Sequence, residues 1–325
     1  MKPKLFFSVR IETFLLYRLK TDVQVEHVNE IEFPAVTLCN LNSFMKNKLN
    51  DFDEQLLQLS NQLIDNVAIA ENSSIENDLF LKYEQLEDQL FQKYNISKDN
   101  FSLQSWLNTK NWHLTDSDMV GCSFAGKECS AKVSFPRLPP TNLVYFVYLF
   151  KDFVPIITSA GVCYTLRGWN GTTNHTQTVP GTNGGFHVLV NVDQDNYTPF
   201  NCFGKQEYEA GLRVIVQPPS ELPIPNTGSV VIPGFSAYLS LDLTKVETVN
   251  HEPWMKCQSE DLSLPAPYHV YDFRSCKEIC EANTIKEKCG CPPPWYQFYY
   301  SNSSGDSCGL IKTAFCVQYS LGISN

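Results

Sequence analysis

The spacing of apolar and polar positions gives the chain two textures before any chemistry is considered. Asp22 to Val28 alternate residue by residue, the pattern of a half-buried strand. Ile31 to Asn42, reading IEFPAVTLCNLN, predicts a second strand: proline drives Phe33 out of the α region, and Ala35 to Leu38 suit a buried pleat. Cys39 ends that run, where it can tie the strand to something distant. The period then changes. Phe52, Leu56, Leu59, Leu63 and Val67 recur at three- and four-residue steps, and Leu79, Tyr83, Leu86, Leu90 and Phe91 repeat this between Asp78 and Lys93. Two helices with acidic and Gln-rich outer faces are predicted, laid as a hairpin over a core.

Later segments return to strands and then to helix. Val162–Leu166 and Phe186–Val192 read as strands, separated by the Gly/Asn/Thr-rich stretch Gly168 to Gly185. Tyr271 to Cys280 puts Cys276 and Cys280 on one helix face, and Cys289-Gly290-Cys291-Pro292 stops that helix. Cys308 and Cys316 follow a Ser/Gly loop. These cysteines can be read as zinc ligands or as disulfide halves. Cys122 and Cys129, seven apart around a glycine, can close a small ring.

Composition decides between those two readings. Twelve cysteines in 325 residues point to an oxidising compartment. Seven N-x-S/T sequons agree with it, at Asn72, Asn95, Asn100, Asn170, Asn174, Asn196 and Asn302. Disulfides are therefore expected rather than metal, and the chain is expected to be an ectodomain. A formal net charge of −10 argues against a nucleic-acid partner. None of the six histidines stands in an HExxH arrangement, and neither a GxSxG nor a P-loop occurs, so no enzyme and no cofactor are expected. The N-terminus lacks the form of a signal peptide, since Arg10 and Glu12 split its apolar runs. The longest apolar run, Leu143 to Phe150, is far short of the about 20 residues of a spanning helix. As given, the polypeptide is not expected to cross a bilayer.

Phe33-Pro34-Ala35-Val36-Thr37-Leu38-Cys39-Asn40 resembles the segment after the first transmembrane helix in the degenerin/epithelial sodium channel family of amiloride-sensitive channels, most like its acid-sensing members. Collinear resemblances follow at Asp118-Met119 with the Cys122–Cys129 loop, Gly161-Val162-Cys163-Tyr164-Thr165 and Asp193 to Tyr197. They continue through Glu209 to Val214, Ile232 to Phe235, Pro253-Trp254 with Cys257, and the cysteine-dense end. The resemblance implies a disulfide-rich α+β ectodomain with a central palm and β-ball sheet and peripheral finger and thumb helices. On that map residues 1–20 are the end of the first membrane helix, and 31–50 with 161–256 are palm and β-ball. Residues 51–130 are the finger, and 257–325 an incomplete thumb. Val133 to Lys151, aromatic and broken by prolines, interrupts the match and is expected to be an insertion, from a retained intron or a mis-joined exon.

The same resemblance implies the disulfides Cys39–Cys163, Cys122–Cys129, Cys289–Cys316 and Cys291–Cys308. It leaves Cys257, Cys276 and Cys280 to partners beyond Asn325, and Cys202 without a counterpart. Function follows in the same way: a homo- or heterotrimeric plasma-membrane channel, sodium as the permeant ion, amiloride as pore blocker, and an extracellular ligand, peptide or proton. Gating would pass through Tyr17 at the membrane exit and Trp254 at the thumb base. Of the acidic cluster before Glu-Ala-Gly only Glu207 and Glu209 remain, which weakens proton sensing, because close carboxylates raise one another's pKa. The pore-forming parts of the family lie outside this chain, so a fragment is expected. The alternative is a secreted, pore-less binding or decoy protein, or a non-functional truncated product.

Overall fold

The computed structural model describes residues 23–69, 73–129, 133–134, 149–150, 153–166, 176–179, 181, 184–200, 208–246, 268, 271–295 and 308–320. Its centre is the strand predicted from FPAVTLCN. After β1 (Ile31–Glu32), β2 (Ala35–Asn40) is buried at every residue. The other strands are β3 (Met119–Phe124), β4 (Lys127–Glu128), β5 (Val133–Ser134), β6 (Leu149–Phe150), β7 (Phe153–Thr158) and β8 (Gly161–Leu166). They continue with β9 (Thr176–Gln177), β10 (Phe186–Val190), β11 (Leu212–Gln217) and β12 (Ser229–Val231). An antiparallel five-stranded sheet runs β12–β11–β2–β8–β7, with β2 paired to β8 and β11 on its two sides. β10, β3 and β4 form a second sheet, whose apolar residues Phe186, Val188 and Val190 pack on the first around Trp112, Phe153 and Tyr164. Burial on both faces explains the unbroken apolar texture of β2 and β8, as opposed to alternation.

The helices form a second layer: α1 (Asp51–Ala68), α2 (Ser73–Lys93), α3 (Leu103–Lys110), α4 (Phe273–Cys289) and α5 (Leu310–Ser320). The stripes read from sequence are what they bury. Phe52, Leu56, Leu90 and Phe91 join Trp106 and Leu107 of α3 in one cluster. Leu63, Val67 and Tyr83 join Ala282, Ile285, Ile311 and Phe315 of α4 and α5 in another. The N-terminal hairpin is thus bound to the C-terminal helices by the far half of its own stripe, and Phe80 stacks on Phe315 with ring centroids 4.6 Å apart.

Three sequence readings change. The alternating residues Val23 to Val28 carry no strand and are exposed, Val23 and Val25 by more than 80%. Alternation supplies one apolar face, but a strand also needs a neighbour to complete its ladder, and none pairs there among the described residues. The strand expected over Phe186–Val192 ends at Val190, and the second helix begins five residues earlier than Asp78, at Ser73. A short helix, α3, went unread because its eight residues carry little more than one turn of stripe, Leu103, Trp106 and Leu107; Ser102, whose side chain accepts the Ser105 N–H, caps it. The ends of the expected insertion pair with each other, Val133 against Phe150 and Ser134 against Leu149; its interior lies outside the described residues.

Candidate functional site

Among the described residues four disulfides are formed, two within the sheets and two within the helical layer. Cys39 and Cys163 are directly opposite in the β2–β8 register and bonded, joining residues 124 apart in sequence. Cys122–Cys129 closes the β3–β4 hairpin, whose two-residue turn, Ala125-Gly126, has φ of 48° and 75°. Positive φ at both positions is the turn geometry that matches strand twist, and glycine takes it without strain. Gly290, at φ 74°, ends α4 and lets the chain turn back. Cys289–Cys316 and Cys291–Cys308 then tie the end of α4 to α5. Cys276 and Cys280 stand one turn apart on α4 as free thiols, the first half-buried and the second exposed.

Two ionic joints fasten the helices, and both are built on carboxylates set into apolar faces. Asp53 lies beside Phe52 in the first turn of α1 and completes a capping box with Asn50, accepting its backbone N–H at 3.0 Å. It also accepts from Trp106 Nε1 at 2.7 Å and from Lys110 Nζ at 2.6 Å, so one buried carboxylate holds the middle and the C-terminal end of α3. Glu87 stands on the face of α2 between Tyr83 and Leu90. It is 4% exposed and takes Lys98 Nζ at 2.7 Å. It also accepts the backbone N–H of Ile311, in the first turn of α5. A carboxylate at a helix N-terminus meets unpaired N–H groups and the positive end of the dipole. Burial pushes the Glu87 carboxyl above its usual range, and Lys98 and Ile311 pull it part of the way back. Lys98 is held protonated beyond the ordinary lysine range. Its own burial, the largest influence, opposes this but is outweighed by Asp88 and Glu87 together.

Hydrogen bonds join the sheet to the segments around it. His113 Nδ1 lies 3.1 Å from the Tyr164 hydroxyl of β8, and burial, assisted by the nearby Lys48 charge, holds the imidazole below its normal pKa. Asn111 accepts the Val162 N–H on Oδ1, and its carbonyl accepts Lys48 Nζ at 2.7 Å. Where β2 ends, Asn40 Nδ2 donates to the Val192 carbonyl and Asn42 Nδ2 to that of Asn196. Thr198 returns a hydroxyl donation to Phe44 O at 2.7 Å.

Of the residues singled out in the sequence, Glu209 is exposed and its carboxylate stands 3.6 Å from the Arg213 guanidinium. Tyr17, Trp254, Glu207, Cys202, Cys257, Asn72, Asn170, Asn174 and Asn302 lie outside the described residues. Sequence reasoning missed Glu87, Asp53 and His113. Glu87 and Asp53 did leave a signal, a charged residue interrupting an apolar helical stripe; an isolated histidine left none. Among the described residues no helix is long and apolar enough to cross a membrane.

A disulfide-braced α+β fold, its helical layer pinned by buried ion pairs, is that of a protein of oxidising compartments. A family model described as amiloride-sensitive sodium channel matches residues 5–324, and the chain belongs to that family. It is similar to the bile acid-sensitive ion channel of Homo sapiens, 26% identical over 314 residues, which cover 95% of this chain and 54% of that protein. Acid-sensing ion channel 2 of Homo sapiens is 29% identical over 289 residues, 87% of this chain and 51% of the relative. Acid-sensing ion channel 1B of Danio rerio is 26% identical over 291 residues, 87% and 44%. These relatives are ion channels, not enzymes, and the chain spans about half their length.

Proposed function

We propose that this chain is the extracellular sensing part of a ligand-gated, amiloride-sensitive sodium channel subunit at the plasma membrane, assembled as a homo- or heterotrimer. The family match over residues 5–324 carries this reading. In it, residues 31–50 and 161–256 act as palm and β-ball, 51–130 as finger and 257–325 as thumb. α5, seated on Glu87 of α2, is the contact through which a ligand moves the thumb-like helices against the finger-like pair. Motion passes to the pore through Trp254 and Tyr17. The relatives are named for acid and for bile acids. Among the described residues Glu209 is paired with Arg213, which supports an extracellular peptide or another ligand as readily as a proton.

The test is recording from oocytes that express the complete subunit, alone and with sister subunits, during pH steps and application of candidate peptides. An amiloride-blocked inward sodium current is expected, reduced by Trp254→Ala at unchanged surface expression. Surface-expressed subunits that pass no current under any of these conditions overturn the reading, and an unaltered dose–response for Trp254→Ala removes the coupling role.

A further inference from the structure

Three of the sequons lie among the described residues, and their surroundings differ in kind. Asn95 ends α2. It takes a left-handed conformation, φ 54°, while the next N–H, that of Ile96, closes back on Phe91 O at 3.0 Å. This is the C-terminal cap geometry that asparagine tolerates among non-glycine residues. Asn95 is exposed there, and Ser97 two residues on is exposed and makes no capping hydrogen bond. Asn100 is likewise exposed, five residues further along the same turn, with Ser102 exposed behind it as the cap of α3.

Asn196 is the opposite case. Both oxygens of Asp193 accept from its Nδ2, each at 3.0 Å, and its carbonyl accepts from Asn42. Thr198, which completes the sequon, is buried. Its N–H donates to Asn42 Oδ1 at 3.0 Å and its hydroxyl to Phe44 O at 2.7 Å. Every polar atom that glycosylation uses at this sequon is already part of the joint between the end of β2 and residues 192–198.

We propose that the turn between α2 and α3, at Asn95 and Asn100, is the N-glycan-bearing tip of this protein, and that the Asn196 sequon is silent in the folded molecule. The modification transfers an oligosaccharide from a lipid-linked diphosphate donor in the secretory pathway. The asparagine Nδ2 forms a bond to the sugar C1, the C1–O bond to the diphosphate breaks, one amide proton is lost to a base of the transferase, and the lipid diphosphate leaves. At Asn95 or Asn100 the product projects into solvent. At Asn196 it replaces an N–H that Asp193 uses and places a sugar inside the joint, so a chain modified there cannot close it and does not reach the folded population. The tip is consequently a face that neither another subunit nor the ligand covers.

This inference rests on the extracellular placement proposed above, and one experiment separates the two. The complete subunit is captured from the surface of cultured cells, deglycosylated with peptide N-glycosidase in heavy-oxygen water, and its asparagine-to-aspartate conversions are mapped by mass spectrometry. Label at Asn95, Asn100 or both, with none at Asn196, is expected. Asn95→Gln combined with Asn100→Gln is expected to remove a matching step in gel mobility while the protein still reaches the surface. Label confined to Asn72, Asn170, Asn174 or Asn302 overturns the tip proposal and leaves the extracellular reading standing, and label at Asn196 overturns the silent sequon. Surface-captured protein with label at none of the seven overturns the tip proposal, and a subunit that cannot be captured from the surface overturns the extracellular reading.

Discussion

The sheet and the helical layer are held together by different physics. β2, β8 and β11 are joined by backbone ladders, by the Cys39–Cys163 bond and by a buried row in which Gln217 Nε2 donates to Thr37, itself 2.8 Å from Thr165. No ionised group takes part. The helices α1, α2, α3 and α5 meet around apolar side-chain clusters pinned by Asp53 and Glu87, the latter also holding the Ile311 N–H. Backbone ladders do not depend on which side chain is present and do not respond to pH, so the sheet makes a rigid frame. A buried carboxylate with a lysine and a helix terminus as partners is a contact whose strength depends on its own ionisation and on any charge brought beside it. The contrast places stiffness in the strands and responsiveness in the helices.

The largest expected effect tests the frame. Replacing Cys39 and Cys163 together by serine removes a bridge across 124 residues and is expected to cost about 2–5 kcal/mol in denaturant unfolding, with loss of surface protein. An unchanged unfolding midpoint would mean that the ladder needs no staple. Next comes the helical joint. Glu87→Ala leaves the Ile311 N–H without its acceptor, an expected loss of about 1–3 kcal/mol. Glu87→Gln, which keeps an acceptor, should lose less, yet both should shift the ligand dose–response of the complete channel. Equal stability losses with no shift in dose–response would reduce Glu87 to a packing residue.

A smaller effect separates two groups by the sign of their pH dependence. The folded state binds a proton at Glu87 more tightly than the unfolded chain does, because burial raises its pKa above 4.5. Its contribution to stability is therefore greatest in acid and declines as pH climbs from 4.5 through the raised value. His113 is held below 6.5, so its contribution is full above 6.5 and is lost as pH falls through the lowered value. Melting temperatures measured against pH should show Glu87→Gln and His113→Asn altering the slope in opposite directions. Slopes that change in the same direction would contradict these assignments. The smallest effect belongs to Glu209, exposed and 3.6 Å from Arg213, where Glu209→Gln should move stability by no more than about 0.5 kcal/mol. It should also leave any acid response unchanged; a lost acid response would return proton sensing to this position.

Legibility followed the range of the forces involved. α1 could be read from Phe52, Leu56, Leu63 and Val67 because a helix declares its buried face in its own spacing, and β2 from Pro34 and its β-branched run. Glu87 was printed inside such a stripe, but its partners Lys98 and Ile311 come from a later turn and from a helix more than two hundred residues on. Asn196 shows the same limit from the other side. Its sequon reads like those of Asn95 and Asn100, and the burial of Thr198 and the Asp193 bonds to its amide distinguish it.

The sequence by itself determined the helical stripes, the strand at Phe33–Asn40, the cysteine-rich character and, through its ordered motifs, the family. These are local or collinear properties, written in neighbouring residues and in their order. Tertiary structure alone decided that the stripe of α1 and α2 is shared with α5, that Val23 to Val28 stay exposed, and which polar side chains are buried together. Those outcomes depend on desolvation and on contacts between distant segments. An isolated asparagine, glutamate or valine is the same residue in either environment until the rest of the fold closes around it.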